Sequence, residues 1–265
     1  MRKRVALPAL AVLACTLAMT ACEQPDTSRA DSARDFPRPY RPVSELGGNA
    51  FSTEQIRDDM REAETVMDLA EIAPGMTVAD IGAGEGYYTV RLANRVGAKG
   101  RVLAQDIDES TLRKLGSRVE RESLSNVSIA LGAEDDPRLP ENSFDRIFLV
   151  HMYHEVAEPY AFLWRLRPAL RENGQVIVVD MDRAPDEHGI WPKLLFCEFD
   201  QVGFRLVEFV RRPEIAGYYA KFEAAGDRPE PYQIEPCSKP GDTETVPPVE
   251  IDPVEPDADG EPGKK

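Results

Sequence analysis

Basic residues are in short supply. The chain of 265 residues carries 32 Lys and Arg against 47 Asp and Glu, a formal charge of −15. Proteins that grip nucleic acid need cations to replace the counterions of the phosphates. The balance therefore speaks against a nucleic-acid partner, and equally against a polybasic hold on anionic lipid. Histidine and cysteine are also scarce, at three and four residues. No CxxC pair and no ladder of His and Cys is present, so spacing alone offers no zinc site. Long apolar runs are missing too. The stretch Val5 to Met19 is short for a spanning helix and is interrupted by Pro8. No internal repeat is visible. What is present, 42% hydrophobic and 30% charged residues, is enough to bury one ordinary core.

Both ends differ from the middle. Arg2, Lys3 and Arg4 precede the apolar stretch, and Met19-Thr20-Ala21-Cys22 closes it with small residues before a cysteine. Residues 1–22 thus read as a signal peptide. They resemble a bacterial lipoprotein signal, which implies that Cys22 is acylated and becomes the mature N-terminus at the membrane. Val12-Leu13-Ala14-Cys15 is a second candidate box, and an ordinary secretion signal is the alternative. Glu23 follows Cys22 where an inner-membrane lipoprotein would carry Asp, which implies the periplasmic face of the outer membrane. Residues 23–48 are polar and rich in proline (Pro25, Pro37, Pro39, Pro42) and read as a tether. From 226 to 265 the chain holds nine prolines and, from Asp227, eleven acids against four bases. This composition predicts a disordered tail. An exported location would permit a disulfide between Cys197 and Cys237. Cys197 lies in an apolar helical run, Leu194-Leu195-Phe196-Cys197, and is expected there as a small buried hydrophobe.

The body, residues 49–225, alternates strands and helices. A first helix has Ile56, Met60, Ala63, Met67 and Ala70 at helical spacing, with Ser52 or Thr53 to cap it. Apolar strands are predicted at 78–81, 101–105, 127–131, 144–150 and 175–180, with helices at 88–96, 110–124, 160–170 and 191–202. Two last strands, 205–210 and 218–222, have no helix between them and should pair antiparallel. This rhythm implies an α/β fold around a mostly parallel sheet.

The strongest local signal is Val78-Ala79-Asp80-Ile81-Gly82-Ala83-Gly84-Glu85-Gly86. An acid ends a strand, three glycines alternate through a turn, and a helix follows. Glycine allows torsions that other residues resist and lets a ligand approach the main chain. The helix N-terminus adds unpaired N–H groups and a positive dipole end. The glycine spacing differs from the G-x-G-x-x-G of dinucleotide folds. Asp106, at the end of the next strand, is placed to accept both hydroxyls of a ribose, and Asp108 beyond it reads as a helix cap.

From about Asp58 to Phe222 the chain resembles the class I S-adenosylmethionine (SAM)-dependent methyltransferases. Asp80, Gly82, Gly84 and Gly86 are similar to that family's first motif, and Asp106 to its ribose-binding acid. Gly132 to Pro140 looks like the loop that meets adenine, through Glu134 or Asp135, with Asp135 favoured by its distance from Leu139-Pro140. Ser143 to Ile147, Leu166 to Gly174 and Gly203 to Val207 resemble later motifs of the same family. The resemblance implies a Rossmann-like, class I methyltransferase fold with a seven-stranded sheet, mostly parallel and with an antiparallel last strand. It also implies SAM as cofactor and a small-molecule methyl acceptor.

The acceptor side is read from His151-Met152-Tyr153-His154-Glu155, after the fourth strand. His154, and after it His151, is the candidate base for a protonated acceptor. Tyr88 or Tyr153 would wall the pocket. His151, His154 and the adjacent Glu155 invite a metal reading, but only His188 remains elsewhere, so no metal is expected. Two functions stay open. One is a methyltransferase acting on a small molecule or an envelope component. The other is a SAM-binding sensor or scaffold that has lost turnover, because SAM is made in the cytosol while the signal predicts export.

Overall fold

The computed structural model describes residues 29–46, 53–212, 215 and 217–237. The signal peptide with Cys22, the first residues of the tether and the tail from 238 onward lie outside them. Seven strands form one sheet: β1 (Thr77–Ile81), β2 (Arg101–Asp106), β3 (Val127–Leu131), β4 (Phe144–Val150), β5 (Leu170–Asp180), β6 (Phe204–Arg212) and β7 (Gly217–Ala224). Their order is β3-β2-β1-β4-β5-β7-β6. The first five run parallel, and β7 enters antiparallel between β5 and β6. The fold is the expected Rossmann-like α/β class, with β7 one place in from the edge and β6 at the edge itself.

Strand alternation sets the layers. In β4, Ile147 and Leu149 enter one core while Phe148 enters the other, and in β5 Val176 and Val178 are separated from Ile177 and Val179 in the same way. This is the pattern of strands covered on both faces. Helices α5 (Pro159–Leu166) and α6 (Pro192–Gln201) cover the first face through Tyr160, Leu163, Leu195 and Phe199. Helices α2 (Glu62–Leu69) and α3 (Tyr87–Val96) cover the second through Val66, Met67, Tyr88 and Leu92. Helix α4 (Glu109–Arg121) buries Leu112 and Leu115 beside β2.

The single first helix expected from periodicity is two. Helix α1 (Glu54–Asp59), capped by Thr53, ends at Met60, and Arg61 takes a left-handed φ of 56° before α2 begins. Ile56 and Met60, which share helical spacing with the core residues, are exposed.

The tether and tail boundaries also differ from the sequence reading. Residues 29–46 form a strap across the body. Ala33 and Phe36 are buried in the core under α5, and Arg29 pairs with Glu158 at 2.5 Å. Arg41 meets Glu198 at 2.8 Å in an almost fully enclosed pair, and donates to the carbonyl of Val156 at 2.9 Å. At the other end, residues 226–237 stay on the body. Arg228 stacks over Trp164 at 3.5 Å, the Trp164 indole donates to the carbonyl of Pro229 at 2.8 Å, and Ile234 is buried. Cys237 is disulfide-bonded to Cys197, so that Cys197 is more than the space-filling hydrophobe expected of it. Composition misled at residues 29–46 and 226–237 for one reason. A polar, proline-rich segment has no core of its own, but a few well-spaced anchors can use a core that already exists.

Candidate functional site

The carboxyl ends of β1, β2 and β4 open into one cleft of about 930 Å³. It lies where the sheet order reverses around β1, the place where open α/β sheets receive ligands. Its floor is the turn after β1. Gly82 (φ 66°), Gly84 (φ 56°) and Gly86 (φ 92°) all hold left-handed torsions that only glycine adopts without strain. Their roles then diverge. A Cβ on Gly84 would meet nothing within 4 Å among the described residues, so this glycine keeps the main chain open to the cleft. A Cβ on Gly82 would press on Met152 at 3.0 Å, and one on Gly86 would collide with Leu115 at 2.5 Å. Gly86 is therefore needed for packing of α3 against α4, and it does not line the cleft.

The predicted acids divide as well. Asp106 lines the cleft, and its carboxylate accepts the Gly84 N–H at 2.9 Å and the Asp108 N–H at 3.0 Å. Asp108 caps α4, as expected, accepting from Ser110 and Thr111, and these hydrogen bonds hold its carboxyl down to about 2. Asp80 is not a cleft residue. It is buried beneath the turn, where it accepts the Thr89 hydroxyl at 2.6 Å and so fastens α3 to β1. Burial pushes its carboxyl up to about 6 despite that hydrogen bond. Of the adjacent pair after β3, Glu134 lines the cleft. Asp135, the favoured one, is instead engaged by Arg165 at 2.7 Å and by the Ser32 hydroxyl of the strap at 2.5 Å. The motif spacing could not foresee this, because Ser32 lies in the segment read as tether.

The two histidines exchange ranks. His151 lines the cleft in a left-handed conformation (φ 52°), with Nε2 3.6 Å from Glu62. His154 is fully buried behind the cleft wall, with Nδ1 2.9 and 3.0 Å from the two oxygens of Asp180. It does not line the cleft, so of the two it is His151 that faces the space where an acceptor would sit. Tyr88 and Tyr153 are likewise buried, whereas Tyr87 lines the cleft.

Sequence reasoning missed the contribution of α1 and α2. Glu62 is buried at the start of α2, where it takes a two-pronged ion pair from Arg57 (2.6 and 3.0 Å) and a hydrogen bond from the Tyr88 hydroxyl at 3.1 Å. Burial alone would raise its carboxyl, but His151 and Arg57 outweigh burial and hold it at about 2. Arg57, Glu62, Met60 and Ile56 all line the cleft, and so do Met152, Glu155 and Phe162 beyond it. The missed signal was the mixture of charged and apolar residues along α1, where the apolar positions face a ligand space instead of the core.

Residues 78–174 match a family model described as a methyltransferase domain. Among known proteins, the chain is 36% identical over 83 residues to nocamycin O-methyltransferase of Saccharothrix syringae, covering 31% of this chain and 30% of that protein. It is 30% identical over 146 residues to the ubiquinone/menaquinone biosynthesis C-methyltransferase UbiE of Methylococcus capsulatus, covering 54% and 56%. The chain thus spans only about a third to a half of the curated relatives it matches. Among solved structures, a SAM-dependent methyltransferase from Aquifex aeolicus superposes with a TM-score of 0.55 at 24% identity, covering 63% of this chain and 96% of that one. Another from Mesorhizobium loti gives 0.52 at 13% identity, covering 63% and 99%. At these identities the superpositions establish the shared fold.

Proposed function

We propose that this chain is a SAM-dependent methyltransferase that acts on a small molecule or an envelope component. The observation that carries the reading is the joining of two unlike halves in one cleft. One half, with Gly82, Gly84, Asp106 and Glu134, offers open main chain and carboxylates. The other offers His151, Arg57 and Glu62 beside the apolar Met60, Met152 and Phe162. About 930 Å³ is at the upper end of small-molecule sites, room for a cofactor and an acceptor together.

The first half fits SAM. The turn at Gly82 and Gly84 would receive the amino-acid part near the start of α3, Asp106 the ribose hydroxyls and Glu134 the adenine edge. Bound SAM supplies an electrophilic methyl group on a sulfonium sulfur. The protein's task is then to align a lone pair of the acceptor with that carbon and to exclude water. His151, held by ionised Glu62, is the cleft group placed to take a proton from a hydroxyl, thiol or amine acceptor. A carbon acceptor would likewise have to give up a proton, whereas a tertiary amine would ask only for alignment.

We place this activity outside the cytosol, anchored to a membrane through Cys22. The lipoprotein-like residues 1–22 support that reading, and so does the Cys197–Cys237 disulfide, a bond that persists in oxidising compartments. The decisive test of function is calorimetry with SAM and with its demethylated product, followed by transfer of labelled methyl from SAM to envelope extracts. Saturable binding and label transfer that disappears in Asp106→Ala and His151→Ala support the enzyme. Binding without transfer would leave a SAM-responsive sensor, and no binding would end both readings. Palmitate labelling that is lost in Cys22→Ser, and not in Cys15→Ser, tests the anchor.

A further inference from the structure

We infer that His154, Glu155 and His188 form a binding site for a divalent transition-metal ion of the zinc type. The three residues come from two loops. His154 and Glu155 lie in the 3-10 turn Tyr153–Glu155 after β4, and His188 follows the 3-10 turn Pro185–Glu187 after β5. Strands β4 and β5 are parallel neighbours, so their carboxyl-end loops meet. The strap fixes the meeting. The Ser44 N–H donates to the carbonyl of His154 at 3.4 Å, the Ser44 hydroxyl accepts the His188 N–H at 3.1 Å, and that hydroxyl also donates to the carbonyl of Pro185. His188 is held in a left-handed conformation (φ 57°), uncommon for a residue with a side chain. Such local strain persists only where the surroundings impose it.

One ligand atom from each of the three residues lies within 4.8 Å of the others. The His154 and His188 rings sit edge to face with centroids 5.7 Å apart, and His154 Nε2 is 4.0 Å from Glu155. The decisive atom is that Nε2. It is buried and has no hydrogen-bond partner among the described residues. Its partner nitrogen is fully committed, because Nδ1 faces both oxygens of buried Asp180, which also accepts the Met181 N–H at 2.8 Å. Asp180 thereby fixes the tautomer and leaves a lone pair on Nε2, 4.0 Å from the Glu155 carboxylate. A carboxylate that orients a histidine whose other nitrogen binds metal is the recurrent outer shell of zinc sites.

The donor set selects the ion. Two imidazoles with one carboxylate suit zinc and its first-row neighbours, whereas magnesium and calcium prefer oxygen alone. Bond lengths of about 2.0–2.1 Å place tetrahedral ligand atoms roughly 3.3 Å apart, so the cluster must close by up to about 1.5 Å on binding. Glu155 is a partly exposed side chain on the cleft wall and can contribute to that closure. Three protein ligands leave a position for water or another ligand, as in zinc sites that are not purely structural. The sequence concealed the set because the spacing points to His151 as the second ligand. In the fold His151 turns to Glu62 and His188 takes its place.

The test uses the full chain without a histidine tag, stripped by a chelator and titrated with Zn²⁺ against a chromophoric competitor. Co²⁺ is added in parallel for its tetrahedral absorption bands. Wild type should bind about one equivalent with micromolar or tighter affinity and show those bands. His188→Ala and Glu155→Gln should each weaken zinc at least tenfold, and Asp180→Asn on the order of 10- to 100-fold. His151→Ala should leave zinc affinity unchanged. Circular dichroism and SAM titration on the same samples verify the fold, so that collapse of a variant is not read as ligand loss. Equal zinc affinity in wild type, His188→Ala and Glu155→Gln would overturn the site, as would a folded wild type that fails to bind zinc below about 0.1 mM.

Discussion

The Gly84 N–H donates to Oδ2 of Asp106 at 2.9 Å, tying the turn after β1 to the end of β2. One carboxylate therefore shapes the glycine turn and faces the cleft at once. Asp106→Ala should weaken SAM binding roughly 10- to 100-fold, the range for losing a charge-assisted hydrogen bond. Asp106→Asn, which can still accept from Gly84, should bind more tightly than the alanine variant. Calorimetry on both decides, and identical affinities for wild type and alanine would remove Asp106 from the site.

Asp80 and Glu62 should respond to pH with opposite signs. Asp80 is raised from 3.8 to about 6, so the folded state binds its proton more tightly than the unfolded chain. Its contribution is full below pH 3.8 and is lost as pH rises through 6. Asp80→Asn should therefore gain on wild type between pH 4 and 7, by up to about 3 kcal/mol. Glu62 is lowered from 4.5 to about 2, so its contribution is present above pH 4.5 and lost as pH falls toward 2. Glu62→Gln should be less stable than wild type at neutral pH and approach it under acid. Urea titrations at stepped pH measure both differences. A flat difference for either variant would show that its carboxyl is not shifted by folding.

How much was legible depended on distance along the chain. The strands, the glycine turn, Asp106 and the Asp108 cap are local, set by period, turn chemistry and capping, and each can be read from a short window. The fate of His154, Asp80 and Asp135 was not, because it depends on which face of a loop meets a partner far away. Asp135 is taken by Arg165 and Ser32, and His154 by Asp180. The sealed pair Arg41–Glu198 joins residues 157 apart. No window of sequence shows that pairing, and the proline content around Arg41 argued for solvent.

Residues 226–237 should matter for stability, contrary to their composition. Truncation after Ala225 removes the disulfide, the cover over Trp164 and buried Ile234. The disulfide closes a separation of 40 residues, worth about 4 kcal/mol in the chain-entropy description. The melting temperature of the truncated chain should fall by roughly 8–15 °C, given 2–4 °C per kcal/mol at this size. Cys237→Ser should account for most of the fall, and truncation after Cys237 should spare it. A truncation after Ala225 that melts with wild type would show that the segment is not held to the body.

The strap makes the sharpest claim on stability. Arg41 donates to Glu198, which also accepts the Tyr153 hydroxyl at 2.8 Å, and all three side chains are shut away from water. Removing one member of a buried ion pair leaves the other charge without compensation, at a cost of about 3–5 kcal/mol. Arg41→Ala should therefore destabilise by that amount. Replacing both members by apolar residues of similar volume, Arg41→Met with Glu198→Met, should cost less than the single change, since no charge is stranded. Because Ser44 of the same strap holds the loops of His154 and His188, Arg41→Ala should also loosen the cleft wall. Hydrogen exchange at 153–156 and 185–190 should rise in the single variant. Chemical denaturation and exchange read the two effects separately. A single variant as stable as wild type, with unchanged exchange at both loops, would mean that residues 29–46 lie free of the body, as their composition first suggested.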